Sequence, residues 1–272
     1  MNRRKWIWWL FYGFGGLIVL FLVIPSLIVI PISFSDSPLL KFPPKGFSWR
    51  WYAAFIESSE WTSSLWLSIK VGVGTMIIST VFGVSAALGI VRGNFPGKNL
   101  LHAFLLSPMI VPHVITALAM YYFYSSLQMV GSGWALLFSH TCIATPIVIV
   151  IVSATLHDFD RSLEQAAQIL GADPLQTFRK ITFPIIRPGI ISGALFSFII
   201  SFDEVVIAAF IGGYRSATLP KRMFDNVRDE MDPTVAAIST ILILISILLL
   251  IVMAFLGKRK TTFNKLKPQE RL

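Results

Sequence analysis

The stretch Ser162-Leu163-Glu164-Gln165-Ala166-Ala167-Gln168-Ile169-Leu170-Gly171-Ala172-Asp173-Pro174-Leu175-Gln176 is a polar island between two long apolar blocks. Its punctuation reads as start, stop, start. Ser162 with Gln165 three residues on fits a capping box. The short helix this opens stops at Gly171, which can take the left-handed cap conformation. Asp173-Pro174 followed by Gln176 is a second start signal, with Asp as N-cap and Pro in the first turn. A residue before proline is pushed out of the helical region, so Asp173 sits at the junction. The expectation is two short helices joined by a tight elbow at a membrane surface. Ala166 and Ala167 keep one face of the first helix thin, so that another protein can approach its backbone. Pattern alone leaves a second reading open: an interfacial amphipathic helix resting on lipid.

Outward from this island the chain is strongly apolar. Of its 272 residues 55% are hydrophobic and only 14% charged, with a mean hydropathy of +0.72. Soluble domains carry about 25% charged residues. Six apolar blocks are long enough to cross a bilayer as helices, at about 7–32, 65–91, 101–127, 134–156, 189–211 and 235–256. The fold expected is an all-α polytopic membrane protein, one transmembrane domain over 1–272, with the polar loop at about 157–188. The N-terminal block follows Arg3, Arg4 and Lys5 and is about twice the length of a secretory signal's apolar region. It reads as a membrane helix that stays attached.

The basic residues set the orientation. With the N-terminus inside, the inner segments hold Arg3, Arg4, Lys5, Arg92, Lys98, Arg161, Arg179, Lys180, Arg187, Lys258, Arg259, Lys260, Lys265, Lys267 and Arg271, fifteen of the 23. Both termini and the Gly171 loop then face the cytoplasm. The net charge of +9 therefore reads as topology, not as nucleic-acid binding. The single cysteine, Cys142, excludes an intrachain disulfide and is expected to be a small packing residue. Pro25, Pro31, Pro108, Pro112 and Pro146 lie inside apolar blocks. They fit either helices that bend as the protein opens and closes or the ordinary proline content of membrane helices.

The run Glu164-Gln165-Ala166-Ala167-Gln168-Ile169-Leu170-Gly171-Ala172, followed by Phe178, Ile181, Pro184 and Pro188, resembles the "EAA" loop of ATP-binding-cassette importer permeases. The resemblance implies a type I importer permease fold. It also implies that Glu164, Gln165, Ala166, Ala167, Gly171, Ala172, Phe178 and Pro184 belong to a coupling helix docking on a cytoplasmic ATPase dimer. The family's acid six residues before the glycine is Gln165 here, with Glu164 one position earlier, which changes the partner contact expected at that position. Further partners implied are a second homologous permease, forming a heterodimeric pathway, and an extracytoplasmic solute-binding protein, in a bacterial inner membrane.

No ATP site is visible. Gly93-Asn94-Phe95-Pro96-Gly97-Lys98-Asn99 has its glycines too close for a phosphate loop and lacks the Ser or Thr that binds magnesium. ATP and magnesium are thus expected on the separate ATPase, with no cofactor and no catalysis in this chain. His102, His113, His140 and His157 are scattered along the chain and suggest no metal site.

Within the fifth block, Phe202-Asp203-Glu204 places two carboxylates in apolar sequence. A charge there costs at least about 2.5–3.5 kcal/mol unless paired or hydrated. One reading is a cationic-substrate site or outer gate; the other is an intersubunit ion pair or placement near the interface. Successive helical residues point about 100° apart, so the two acids cannot line one path equally. Ser201-Phe202-Asp203-Glu204-Val205-Val206, Thr218-Leu219-Pro220, Asp232-Pro233-Thr234 and Leu106-Ser107-Pro108 are similar to spermidine/putrescine-type permeases. That resemblance implies a polyamine cargo, with Phe202, Tyr121, Tyr122 and Tyr124 as candidate cation–π partners or simply packing residues. The alternatives are an opine or amino-acid derivative as cargo, a self-sufficient secondary transporter, or a scaffold subunit. The last two leave the Gly171 loop or the missing output domain unexplained.

Overall fold

Helix is the only regular structure among the described residues of the computed structural model, which are 3–213, 216–229 and 232–258, with side chains from 8 to 248. A chain in lipid must satisfy its backbone internally, and a helix does so within one segment. In order the helices are α1 (Arg3–Ser33), α2 (Arg50–Glu57), α3 (Ser59–Arg92), α4 (Lys98–Leu106), α5 (His113–Ser126) and α6 (Gly133–His157). They continue as α7 (Ser162–Ile169), α8 (Pro174–Thr177), α9 (Phe183–Asp203), α10 (Val206–Ile211), α11 (Leu219–Asp229) and α12 (Thr234–Lys258). A 3₁₀ turn (Ser107–Met109) follows α4, and a π turn (Phe178–Thr182) joins α8 to α9. The packing falls into two compact units, one of Met1–Ser59 with Asn226–Leu272 and one of Glu60–Asp225.

In the first unit α1 packs on α12, and α12 on α2. α1 stays helical through Pro25 and Pro31. The chain leaving it is tied down by polar and aromatic contacts. The Ser33 hydroxyl bonds the Tyr52 hydroxyl at 2.7 Å, and the Trp51 indole N–H donates to the Ser35 carbonyl at 2.8 Å. Phe34 gathers Phe47, Trp49 and Tyr52 around it at 4.9–5.1 Å between ring centres. Asp232 caps α12, accepting both the backbone N–H and the hydroxyl of Thr234 at 2.8 Å.

The second unit is organised by α6, whose start is capped by Ser132 accepting the Ala135 N–H at 3.1 Å. Its buried face meets α3 and α9 through Ala87, Val148, Val152, Leu156 and Ile186. Toward its other end it meets α3, α5 and α10 through Val71, Ala117, Tyr124, Leu136 and Ile207. The buried face of α3 is mostly small, with Ser64, Ser68, Gly72, Thr75, Ser79, Gly83 and Ala87 beside Trp61, Val71 and Ile90, while Trp66, Val73, Ile77 and Val81 are exposed. This is the reverse of a soluble amphipathic helix. In lipid, helix association gains little from hiding apolar surface, so small residues that let backbones approach take the contact. Among the glycines of α3 the approach is closest at Gly83, where an added Cβ would lie 2.6 Å from Val148. Hydroxyls lace the same seam: Ser79 bonds Ser197, and Ser201 donates to Thr75 at 3.3 Å and contacts His140 Nδ1 at 2.9 Å.

Three expectations are corrected. The block at 101–127 is not one helix: the chain turns through 97° between Lys98–Met109 and His113–Ser126. Pro112, extended at ψ 131°, breaks the ladder at that corner. The block at 189–211 begins much earlier and is interrupted late. Helix runs from Pro174 to Asp203 as one apolar span, because the π turn of Phe178–Thr182 carries the chain past Pro184, whose ring does not fit a regular i−4 turn. There is therefore no free second helix in the elbow. The same span stops at Glu204, where the backbone becomes extended (ψ 112°), before α10 resumes. Cys142, expected as a packing residue, lies exposed on α6 in line with Trp134 and Phe138. The basic tail beyond Lys258 lies outside the described residues.

Candidate functional site

Two places gather the residues singled out above. The first is the elbow. α7 ends in a Schellman motif: the Ala172 N–H reaches the Ala167 carbonyl and the Gly171 N–H the Gln168 carbonyl, each at 3.0 Å, with Gly171 at φ +90°. Asp173, extended as its proline neighbour demands, caps α8 by accepting the Gln176 N–H at 2.7 Å. The start of α7 differs from the expected capping box. Asp160, not Ser162, supplies the acceptor, taking the Ser162 N–H at 2.9 Å. A carboxylate is the stronger acceptor and suits the positive end of the helix dipole. That bond holds Asp160 below the usual carboxylate range.

Glu164 points inward. Its Oε1 takes Arg92 Nη2 at 3.1 Å and the Thr182 hydroxyl at 2.7 Å, so one carboxylate ties α7 to the end of α3 and to the π turn. The Arg92 guanidinium lies 5.1 Å from the centre of the Phe159 ring. Gln165, Ala166, Gly171 and Pro184 are exposed, and Ala167, Ala172 and Phe178 half-buried. Beside them Ile169 (86%), Leu170 (87%) and Leu175 (66%) are uncovered. The elbow is thus held rigidly on one side and presents small and apolar residues on the other. Arg92 and Thr182 are the functional neighbours that sequence reading missed; a basic residue ending a long helix was their one visible signal.

The second place is the break after α9. The two acids diverge: Asp203, the last residue of α9, is exposed, and Glu204 is buried. Glu204 Oε1 accepts the Ile207 N–H at 2.9 Å, capping α10. Its Oε2 lies 3.2 Å from Nδ1 of His113, the first residue of α5. Two helix interruptions, far apart in sequence, therefore meet at one carboxylate. Phe202 is half-buried and stacks on Phe198 at 5.7 Å. The tyrosines are not brought together here: Tyr124 is in the core cluster, and Tyr121 and Tyr122 form an exposed pair at 5.9 Å. The remaining motif residues have structural duties. The Leu219 N–H donates to Ser68 at 2.7 Å, and Asp232 caps α12. In the turn after α3, Lys98 closes the loop by donating to the Gly93 carbonyl at 3.1 Å.

The profile of the family described as "Binding-protein-dependent transport system inner membrane component" matches residues 79–262. Over 231 residues the chain is 34% identical to the putrescine transport system permease protein PotI of Escherichia coli K12, covering 82% of each. Over 249 residues it is 31% identical to the spermidine/putrescine transport system permease protein PotC of Haemophilus influenzae, covering 91% of this chain and 96% of that one. In fold it is similar to a chain of a bacterial ABC transporter involved in import of the acidic polysaccharide alginate, with a TM-score of 0.70, 16% identity, and 95% and 98% of the two chains covered.

Proposed function

From membership of the binding-protein-dependent transport system inner membrane components, the family to which this chain belongs, we propose that it is the polyamine-conducting permease subunit of an importer, driven by a separate cytoplasmic ATPase dimer. The elbow carries this reading. A helix pinned from behind by Arg92, Glu164 and Thr182, with Ala166, Ile169 and Leu170 uncovered in front, is built to receive a push and pass it to α3 and α9. Residues of this kind on a loop between spans suit a protein partner better than a passive rest on lipid.

The finer topology follows the charge pattern. The chain crosses a bacterial inner membrane six times with both termini cytoplasmic. The spans are α1, α3, the bent pair α4–α5, α6, the span from α8 through α9, and α12. The long apolar helices α1, α3, α6 and α9 support this count, as does the 25-residue apolar α12. A second homologous permease completes the pathway, and an extracytoplasmic binding protein delivers the solute.

For the cargo, the support is twofold. The relatives named above are putrescine and spermidine/putrescine permeases, and the Glu204 carboxylate is buried at a helix break with Asp203 exposed beside it. An ammonium group losing its water needs such compensation. Phe202, Tyr121 and Tyr122 are at hand as cation–π partners, whereas Tyr124 serves the core. The test is reconstitution in liposomes with the ATPase, partner permease and binding protein, measuring ATP hydrolysis as each candidate solute is added. Putrescine or spermidine should stimulate it; stimulation by another solute class alone would overturn the cargo while leaving the permease role intact.

A further inference from the structure

We infer that His113 sets cation selectivity by occupying Glu204 in the unloaded pathway and yielding it to the arriving ammonium group. The inference rests on the reading of Glu204 as a cation site.

The geometry divides the carboxylate between two tasks. Oε1 is committed, since its bond to the Ile207 N–H caps α10 and α10 packs into the core through Ile207, Ala208 and Ile211. Oε2 is not committed in this way. Its partner is a half-exposed ring (49%) on the first residue of α5, beside the Pro112 corner. Among the described residues no Lys or Arg is paired with Glu204 or with Asp203. A buried carboxylate must have a partner, and His113 is the side chain that provides one.

That partner is a weak holder. Its contact at 3.2 Å is longer than the roughly 2.7–2.9 Å of a charge-assisted N–H···O bond, and a ring nitrogen offers a single donor. A primary ammonium brings three donors and a full charge. It therefore displaces the ring from Oε2, while a neutral solute cannot. Asp203, exposed one residue earlier, supplies a first contact on the approach. When the cation leaves, the ring returns, so the carboxylate is never left bare and the cation is never trapped. His113 thus works as a placeholder that trades affinity for release.

The experiment uses the permease–ATPase complex in nanodiscs, with radiolabelled putrescine binding measured without binding protein. Turnover is measured separately with saturating loaded binding protein. His113→Ala and His113→Phe both delete the donor, the second keeping the ring volume so that a packing defect is not mistaken for the effect. His113→Asn keeps an N–H donor. Removing the competing ring from Oε2 should tighten putrescine binding about fivefold and slow turnover by a similar factor. His113→Asn should stay near wild type in both. Unchanged or weaker binding in the Ala and Phe variants would overturn the placeholder role. Glu204→Gln, which keeps an acceptor for Ile207, separates the two levels. If it binds putrescine as tightly as wild type, the cation-site reading itself fails; if it loses binding while the His113 variants behave as wild type, only the placeholder fails.

Discussion

Glu164 and Gln165 are neighbours with opposite duties. Glu164 is engaged by Arg92 and Thr182, whereas Gln165 faces outward. Glu164→Ala should therefore uncouple ATP hydrolysis from uptake, and Gln165→Ala should matter less, when both rates are followed in the same liposomes. A double-mutant cycle on Arg92 and Glu164, read by thermal stability in detergent, should return a coupling of about 1–2 kcal/mol for a part-buried charged pair. Asp160 gives a pH signature. Its folded-state pKa is depressed by the Ser162 bond, so its contribution is present above the ordinary carboxylate pKa and is lost as the pH falls through the lower folded value. Protection factors at the first turn of α7, corrected for the intrinsic exchange rate at each pH, should fall on acidification below the usual aspartate range, and Asp160→Asn should lessen that dependence. At the other site the acids are unequal: Glu204→Gln should reduce putrescine uptake more than Asp203→Asn, because only Glu204 is desolvated. Equal losses in an uptake assay would contradict that ranking.

Among elements, the elbow depends on one left-handed residue. Gly171→Ala should cost about 1 kcal/mol, and Gly171→Pro should remove the bond to Gln168 as well and uncouple transport, both read as ATPase activity per solute imported. Bulky residues at Ala166 or Ala167 should uncouple by blocking docking. The elbow was largely legible because Gly171, Asp173 and Pro174 act locally, each through its own backbone preference. The cap at Asp160 was not: the capping-box pattern selects Ser162, with Gln165 three residues on, and only geometry and acceptor strength favour Asp160. The apolar blocks were legible because hydropathy sums over twenty residues. The same averaging hid the corner at Pro112 and the break at Glu204, each fixed by one or two residues. His113 and Glu204 lie on different blocks, so no sequence window brings them together, and Arg92 was read as a topological charge instead of the anchor of Glu164.

For the molecule as a whole, the reading is that of a transmitter: a rigidly backed elbow at one place and an adaptable carboxylate joint at another, carried by helices α3 and α9 that belong to one packed unit. The inverted face of α3 has a consequence for biogenesis. Insertion into the bilayer responds to summed apolarity, where a leucine at a helix centre is worth about −0.3 to −0.6 kcal/mol. Assembly responds instead to the size of Ser79 and Gly83. Ser79→Leu with Gly83→Leu should therefore partition into membranes at least as well as the parent in a glycosylation-mapping assay. The inserted product should nevertheless fail to form a protease-resistant bundle, since an added Cβ at Gly83 already meets Val148. The cell's quality control would face a chain that entered the membrane correctly and is orphaned there, a failure that no hydropathy profile of the variant would foretell.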